Sequence, residues 1–165
     1  LAKKEDPECI SVFIGPCLAK RKEGQDDEYV DYVLSVEEIG ALFIAREIDI
    51  GKQIVDSECE GCAKPTSSGR NFAVTGGVAE AVKVRLKSPE KLRPAVINGL
   101  DKAGMKTLAN YGKIQSGAME STAETPNLVE VMSCEGGCIA GPSVISNPRI
   151  AANQLKRYVE SGSKG

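Results

Sequence analysis

Two cysteines, Cys134 and Cys138, stand four residues apart in the stretch VEVMSCEGGCIAGPSV, after a run of strand-forming residues. Thiols at this spacing can bind a metal or an iron–sulfur cluster, form a redox pair, or pack as small buried side chains. If Cys138 lies in the first turn of a helix, both sulfurs face the positive helix end, which stabilises thiolates. Gly136 and Gly137 would let a cluster approach the backbone closely. The spacing alone leaves these alternatives open.

The four other cysteines fall into three settings. Cys17, in GPCLAK, follows a Gly-Pro turn at the end of a predicted strand, as either a structural thiol or a ligand. Cys59 and Cys62 form a CxxC on a polar loop, where a redox pair, a shared metal and plain solvent exposure are all open. One alternative for the whole chain is therefore a zinc- or thiol-based regulatory domain. Cys9 precedes the first strand and is expected to be inert.

Composition narrows the function classes. The 165 residues are 41% hydrophobic and 27% charged, with a net charge of −2, which are values of a globular domain. The absence of His removes the usual general base at neutral pH and all His-containing metal sites. No basic cluster is present that would follow a phosphate backbone, so nucleic acid is not an expected partner.

The chain carries no targeting signal that we recognise. No stretch reaches the roughly 18–20 apolar residues that span a bilayer, so no membrane association is expected. The opening LAKKEDPE lacks the apolar region of a signal peptide, and we expect a cytoplasmic protein. The first residue is Leu rather than Met, which is consistent with a piece of a longer chain.

Strand-like and helix-like segments alternate along the chain. Four apolar runs predict strands, at residues 10–16, 29–35, 93–100 and 127–133. Helices are predicted at 35–48, where Ser35 and Glu38 have the spacing of a capping box, and at 75–87, 101–117 and 147–162, the last with Pro148 at its first position. This pattern predicts an α/β fold in which a mainly parallel sheet of about four strands is flanked by helices, forming a single domain over residues 1–165.

The predicted sheet would bring three cysteines to one edge. Ligands of parallel sheets bind at the loops that follow the strands. Cys17 follows the first predicted strand, and Cys134 and Cys138 follow the fourth. A tetrahedral zinc site or a cubane cluster usually takes four thiolates, so one ligand must come from elsewhere.

The cysteine-bearing segments resemble the carboxyl-terminal half of the catalytic domain of [FeFe]-hydrogenases. That family carries a TSCCP motif, an MPCTxK motif followed by Glu, and an ExMxCxxGC motif. GPCLAKRKE resembles the second and EVMSCEGGCIAG the third, while FAVTGGVAEAV and VDYVLSVEEI are similar to the family segments ATGGVMEA and VDYVLTTREL. The resemblance implies one lobe of a larger two-lobed domain, whose N-terminal lobe with TSCCP is the missing partner.

The resemblance also implies a site. Cys17, Cys134 and Cys138 would bind the [4Fe–4S] cubane of the H-cluster, and Cys138 would bridge to its diiron subcluster. Lys20 matches the lysine that hydrogen-bonds a cyanide ligand, and Met132 matches a methionine near the diiron site. Glu23 matches the acid of the second motif. Without the family, Lys20 and Glu23 would be solvated surface residues and Met132 a core residue.

The implied function is reversible H₂ formation, 2H⁺ + 2e⁻ ⇌ H₂, by the complete protein. A ferredoxin-like electron donor or an accessory iron–sulfur domain would be its partner, and the isolated lobe would be inactive and metal-free or only partly loaded. Gly15 and Leu18 stand where active enzymes carry Met and Thr, and IAGPSV replaces a GGGQP-like tail. These departures resemble the sensory branch of the family. The alternative is a hydrogenase-like iron–sulfur scaffold or assembly protein without a diiron site.

Overall fold

The computed structural model describes residues 2–53 and 65–162. Cys59 and Cys62 lie outside the described residues, so the predictions made for this CxxC stay predictions. The chain divides into two compact units. The first comprises Leu1–Cys62 and Gly141–Asn147, and the second comprises Ala63–Ala140 and Pro148–Gly165.

The described residues form four strands and seven α-helices. The strands are β1 (Val12–Gly15), β2 (Tyr32–Ser35), β3 (Pro94–Asn98) and β4 (Leu128–Met132). The helices are α1 (Ala2–Glu5), α2 (Ala19–Asp26), α3 (Val36–Ala45), α4 (Ser67–Arg70), α5 (Gly77–Lys83), α6 (Lys102–Gln115) and α7 (Pro148–Glu160). Short 3₁₀ turns lie at Ile50–Lys52, Asn71–Ala73, Pro89–Lys91 and Cys138–Ala140.

In the first unit, β1 and β2 pair in parallel from Val12↔Tyr32 to Gly15↔Ser35. The crossover between them carries α2, as parallel pairing requires a long connection. The start of the unit is fastened by Asp31, whose carboxylate accepts hydrogen bonds from Lys3 Nζ (2.9 Å) and from the Ser11 backbone N–H (2.7 Å). These bonds hold the N-terminal segment against the beginning of the sheet.

Helix α3 begins at the predicted capping box. Ser35 Oγ accepts a hydrogen bond from the Glu38 backbone N–H, and Glu38 Oε2 accepts one from the Ser35 N–H (2.7 Å). This second bond, with the Arg21 guanidinium 2.6 Å away, lowers the pKa of Glu38 below its usual value. The prediction of the helix start is therefore confirmed at the level of its hydrogen bonds.

In the second unit, β3 and β4 pair in parallel, with Val96 opposite Glu130 and Asn98 opposite Met132. Helix α6 forms the connection between them, and its N-cap Asp101 accepts from the Gly104 backbone N–H (2.7 Å). Among the described residues, only three hydrophobic residues are buried, and two of them are small: Ala79, Ala81 and Ile97.

The structure confirms an α/β fold with parallel strands flanked by helices. The four strands lie at the predicted places, and they pair as two two-stranded parallel sheets, one in each unit. Helix α2 was not predicted, because AKRKEGQD has no apolar stripe. Ion pairs support it instead, between Lys20 and Glu23, Lys22 and Asp26, and Arg21 and Glu38.

Candidate functional site

The loop that follows β4 carries two of the predicted ligands. Cys134 is half-buried and Cys138 is exposed. The Gly137 N–H donates to the Cys134 carbonyl oxygen (3.1 Å), and the Ala140 N–H donates to Gly137 (3.0 Å). Cys138 begins a single 3₁₀ turn rather than an α-helix, so the condition for placing both thiols at the positive end of a helix is not met. Gly141 and Pro142 follow this turn directly, and a proline disfavours the helical conformation of the residue before it, so the turn does not continue as a helix.

Gly136 and Gly137 both adopt the left-handed backbone conformation, with φ of +89° and +86°. A Cβ on Gly137 would lie 2.7 Å from the Ala73 carbonyl oxygen and 2.8 Å from the Thr75 nitrogen. No other residue type fits there without moving backbone. The loop therefore packs directly on the segment that precedes α5.

Two polar side chains join the same elements. Asn98, the last residue of β3, accepts at Oδ1 from the Gly136 N–H (2.7 Å) and from the Thr75 hydroxyl (2.7 Å). Glu130, in the middle of β4, is 8% exposed and accepts from the backbone N–H groups of Gly76 (2.8 Å) and Ala79 (2.7 Å). Sequence reasoning missed the role of Glu130. A charged residue inside the apolar strand LVEVM was the signal that could have indicated it.

Cys17 lies in the first unit, two residues after β1, and is half-buried. Its carbonyl oxygen accepts from the Lys20 N–H (3.2 Å), which begins the turn into α2. The preceding Pro16 accepts at its carbonyl oxygen from the N–H of Ser143 (3.3 Å), which is buried. Within this unit, the residue before Cys17 is thus bonded to the segment that follows the Cys134–Cys138 loop in sequence.

The structure brings Lys20 and Glu23 together. Lys20 Nζ lies 2.5 Å from Glu23 Oε2, one turn apart on α2. Both residues line a cavity of about 140 Å³ between α2 and the β1–β2 sheet, with Phe13 and Val33 as apolar walls. Met132 is placed at the end of β4 in the second unit, paired in register with Asn98.

The cysteine thiols, considered within each unit separately, are suitable ligands for an iron–sulfur cluster. Cys134 and Cys138 place two thiols on one loop, and thiols are the donors that iron–sulfur clusters take. None of Cys9, Cys17, Cys134 and Cys138 is in a disulfide. Within either unit, the described residues contain no group of three His, Cys, Asp or Glu side chains able to hold a metal ion. The full ligand set stays a prediction.

Another cavity lies away from the cysteine loop. A space of about 740 Å³ opens between α6 and β4, lined by Arg93, Tyr111 and Val131 among others. None of the predicted ligands lines it. We therefore take the cysteine loop, and not this cavity, as the candidate functional site.

Comparison with known proteins identifies the family. Residues 1–142 match the family described as "Iron only hydrogenase large subunit, C-terminal domain". The match covers most of the chain, including Cys17, Cys134 and Cys138. The chain belongs to this family, that of the catalytic domain of [FeFe]-hydrogenases.

Relatives in curated collections agree. The chain is 28% identical to the periplasmic [Fe] hydrogenase large subunit of Nitratidesulfovibrio vulgaris, over 84% of this chain and 39% of that protein. It is 29% identical to the NADP-reducing hydrogenase subunit HndD of Solidesulfovibrio fructosivorans, over 80% of this chain and 27% of that subunit. The chain therefore spans well under half the length of either relative.

A solved structure supports the fold. The structure of HydA(deltaEFG), which describes stepwise [FeFe]-hydrogenase H-cluster assembly, aligns with a TM-score of 0.52 at 18% identity. The alignment covers 96% of this chain and 55% of that one. None of the helices in the described ranges is long and apolar enough to cross a membrane.

Proposed function

We propose that this chain is the C-terminal lobe of an [FeFe]-hydrogenase catalytic domain that binds the H-cluster together with a TSCCP-bearing N-terminal lobe. The complete protein would catalyse the reversible reduction of protons to H₂. The observation that carries the proposal is the cysteine loop, because the family motif ends there with two thiols on a glycine-lined turn. The cytoplasm remains the predicted compartment, although one relative is named as periplasmic.

The chemistry of each proposed site residue suits the role that we assign to it. Cys17, Cys134 and Cys138 would hold the [4Fe–4S] cubane as thiolates. The diiron subcluster supplies the H–H chemistry when it is bound. Lys20 would donate a hydrogen bond to a ligand of that subcluster, and the carboxylate of Glu23 holds the ammonium of Lys20 on one side of α2.

The proposal of a shared site is supported by the resemblance, which requires Cys17 and the Cys134–Cys138 loop to serve one cluster, and by the family match, which spans all three cysteines. A fourth thiolate would come from the missing lobe, so we expect the 165-residue chain alone to be inactive and poorly loaded.

The ligand assignment can be tested by cysteine substitution in the complete protein. Changing Cys17, Cys134 or Cys138 individually to Ser removes one thiolate each. Iron content after anaerobic reconstitution should fall at least about twofold in each variant, and the CO and CN⁻ infrared bands should disappear. Cys9→Ser is the matched control and should leave both unchanged. Full bands in all three ligand variants would refute the assignment.

A substitution at Lys20 separates a hydrogenase from a scaffold that binds cubanes only. Lys20→Ala should leave the cubane spectrum intact and shift or abolish the CN⁻ bands, because the proposed hydrogen bond is lost. Under the scaffold alternative no such bands exist and Lys20→Ala has no effect. Arg21→Ala, which removes a neighbouring cation of α2, is the control.

The departures at Gly15 and Leu18 support a sensory role, in which turnover is slow and a partner reads the state of the cluster. Gly15 is buried, and a Cβ built there would lie 2.8 Å from the Phe13 ring. Restoring Met at this position would therefore require Phe13 to move. A sensory protein should show H₂ oxidation well below that of the relatives at equal cluster content, and equal rates would exclude the sensory role.

A further inference from the structure

We infer that Glu130 is a positioning residue for the cysteine loop. It acts by fixing residues 73–79, here called the backing segment, against β4. The inference rests on the proposed function only for what the loop would hold. The contacts themselves belong entirely to the second unit.

Both oxygens of the Glu130 carboxylate accept a hydrogen bond. It lies on β4, four residues before Cys134, and is 8% exposed. Oε1 accepts from the Gly76 N–H and Oε2 from the Ala79 N–H. A buried carboxylate is costly unless it is paired or hydrogen-bonded. Here two backbone donors and the positive end of α5 offset that cost.

Helix α5 needs this contact because its own sequence provides no cap. The N-cap position is Gly76, at φ +89°, which has no side chain to accept from the first turn. Glu130 replaces the missing cap from another part of the chain. The helix start and β4 are thereby joined through one side chain.

The backing segment in turn contacts the loop at two places. Gly137 packs on the backbone of Ala73 and Thr75 with no room for a Cβ. Asn98 bridges the Thr75 hydroxyl and the Gly136 N–H with one oxygen. The connections form a closed ring, from β4 through Glu130 to the backing segment, through Gly137 to the loop, and back to β4.

The ring predicts that loss of the Glu130 carboxylate loosens Cys134 in particular. Glu130→Met keeps the volume and removes both acceptors, while Glu130→Gln keeps one carbonyl oxygen. Peptide-resolved alkylation of the metal-free 165-residue chain measures the reaction rate of each thiol. The rate at Cys134 relative to Cys9 should rise about tenfold in the Met variant and less in the Gln variant.

Exposed Glu135 provides the control for charge, because Glu135→Gln removes the same charge immediately after Cys134, and the rise in the ratio should be larger in the Glu130 variants than in this one. Amide exchange at Gly76 and Ala79 should accelerate in the Glu130 variants only. An unchanged Cys134 ratio, or an equal rise at all thiols as in global unfolding, would overturn the inference. Since no metal is present, this outcome is independent of the cysteine test of the proposed function.

Discussion

Asp31 is a carboxylate whose hydrogen bonds and ion pair change its pKa strongly. The Lys3 ammonium, and then the backbone N–H and hydroxyl of Ser11, lower the pKa of Asp31 to about 2. The same contact raises the pKa of Lys3. Because each bond favours the ionised carboxyl, protonation of Asp31 should detach the N-terminal segment from the sheet.

We predict that Asp31 titrates at about 2 in the folded chain, which side-chain carboxyl NMR shifts would measure. A folded-state pKa below the unfolded value stabilises the protein above about pH 4, and this contribution is lost as the pH falls towards 2. Asp31→Asn should therefore lower the urea midpoint clearly at pH 6 and much less at pH 2. Glu124→Gln, at an exposed position, should change neither. A pKa near 4 for Asp31 would contradict the prediction.

At the residue scale, sequence predicted the cysteines but not what supports them. The family motif identified Cys134 and Cys138 because ligand type and spacing are local. The hydrogen-bond partners of Glu130 lie 54 and 51 positions away in sequence. The partners of Asn98 lie 23 and 38 positions away. Such pairings depend on strand register, which a single sequence does not specify for strands of five residues.

Among the elements, α3 was predicted at its start and less well at its end. The capping box is a local signal and was found. The helix stops at Ala45, and Glu47 takes a left-handed conformation with φ +57°, a position usually held by Gly. Helix α2 was missed because charge pairs, rather than an apolar stripe, mark it.

Replacing Glu47 by Gly should stabilise the protein. The left-handed conformation costs a non-glycine residue about 1 kcal/mol, so Glu47→Gly should raise the free energy of unfolding by roughly 0.5–1 kcal/mol. Urea unfolding at neutral pH measures the change. The control is Glu37→Gly in the first turn of α3, where the same substitution should destabilise by up to about 1 kcal/mol. Destabilisation by both would contradict the prediction.

For the whole molecule, the amount of exposed apolar surface is the main feature. Val12, Ile14 and Tyr32 share one face of the β1–β2 sheet and are 45%, 48% and 61% exposed. Contiguous apolar surface of this kind marks an interaction face.

The native chain should therefore bind the dye ANS, and the double substitution Val12→Thr and Ile14→Thr should reduce that fluorescence at least about twofold while the β-branched shape is kept. Ile150→Thr, at an exposed position of α7, should have little effect. If the double variant bound as much dye as the unchanged chain, the sheet face would not be the accessible surface.

The cap that Glu130 provides for α5 also bears on the order in which the chain acquires structure. Seven residues opening on glycine are too few to hold a helix in water by themselves. The acceptor for their first N–H groups is synthesised about fifty residues later. We therefore expect α5 to become stable only after β4 has been synthesised and has paired with β3. The helix and the cysteine loop should then become ordered together, since both depend on this non-local contact.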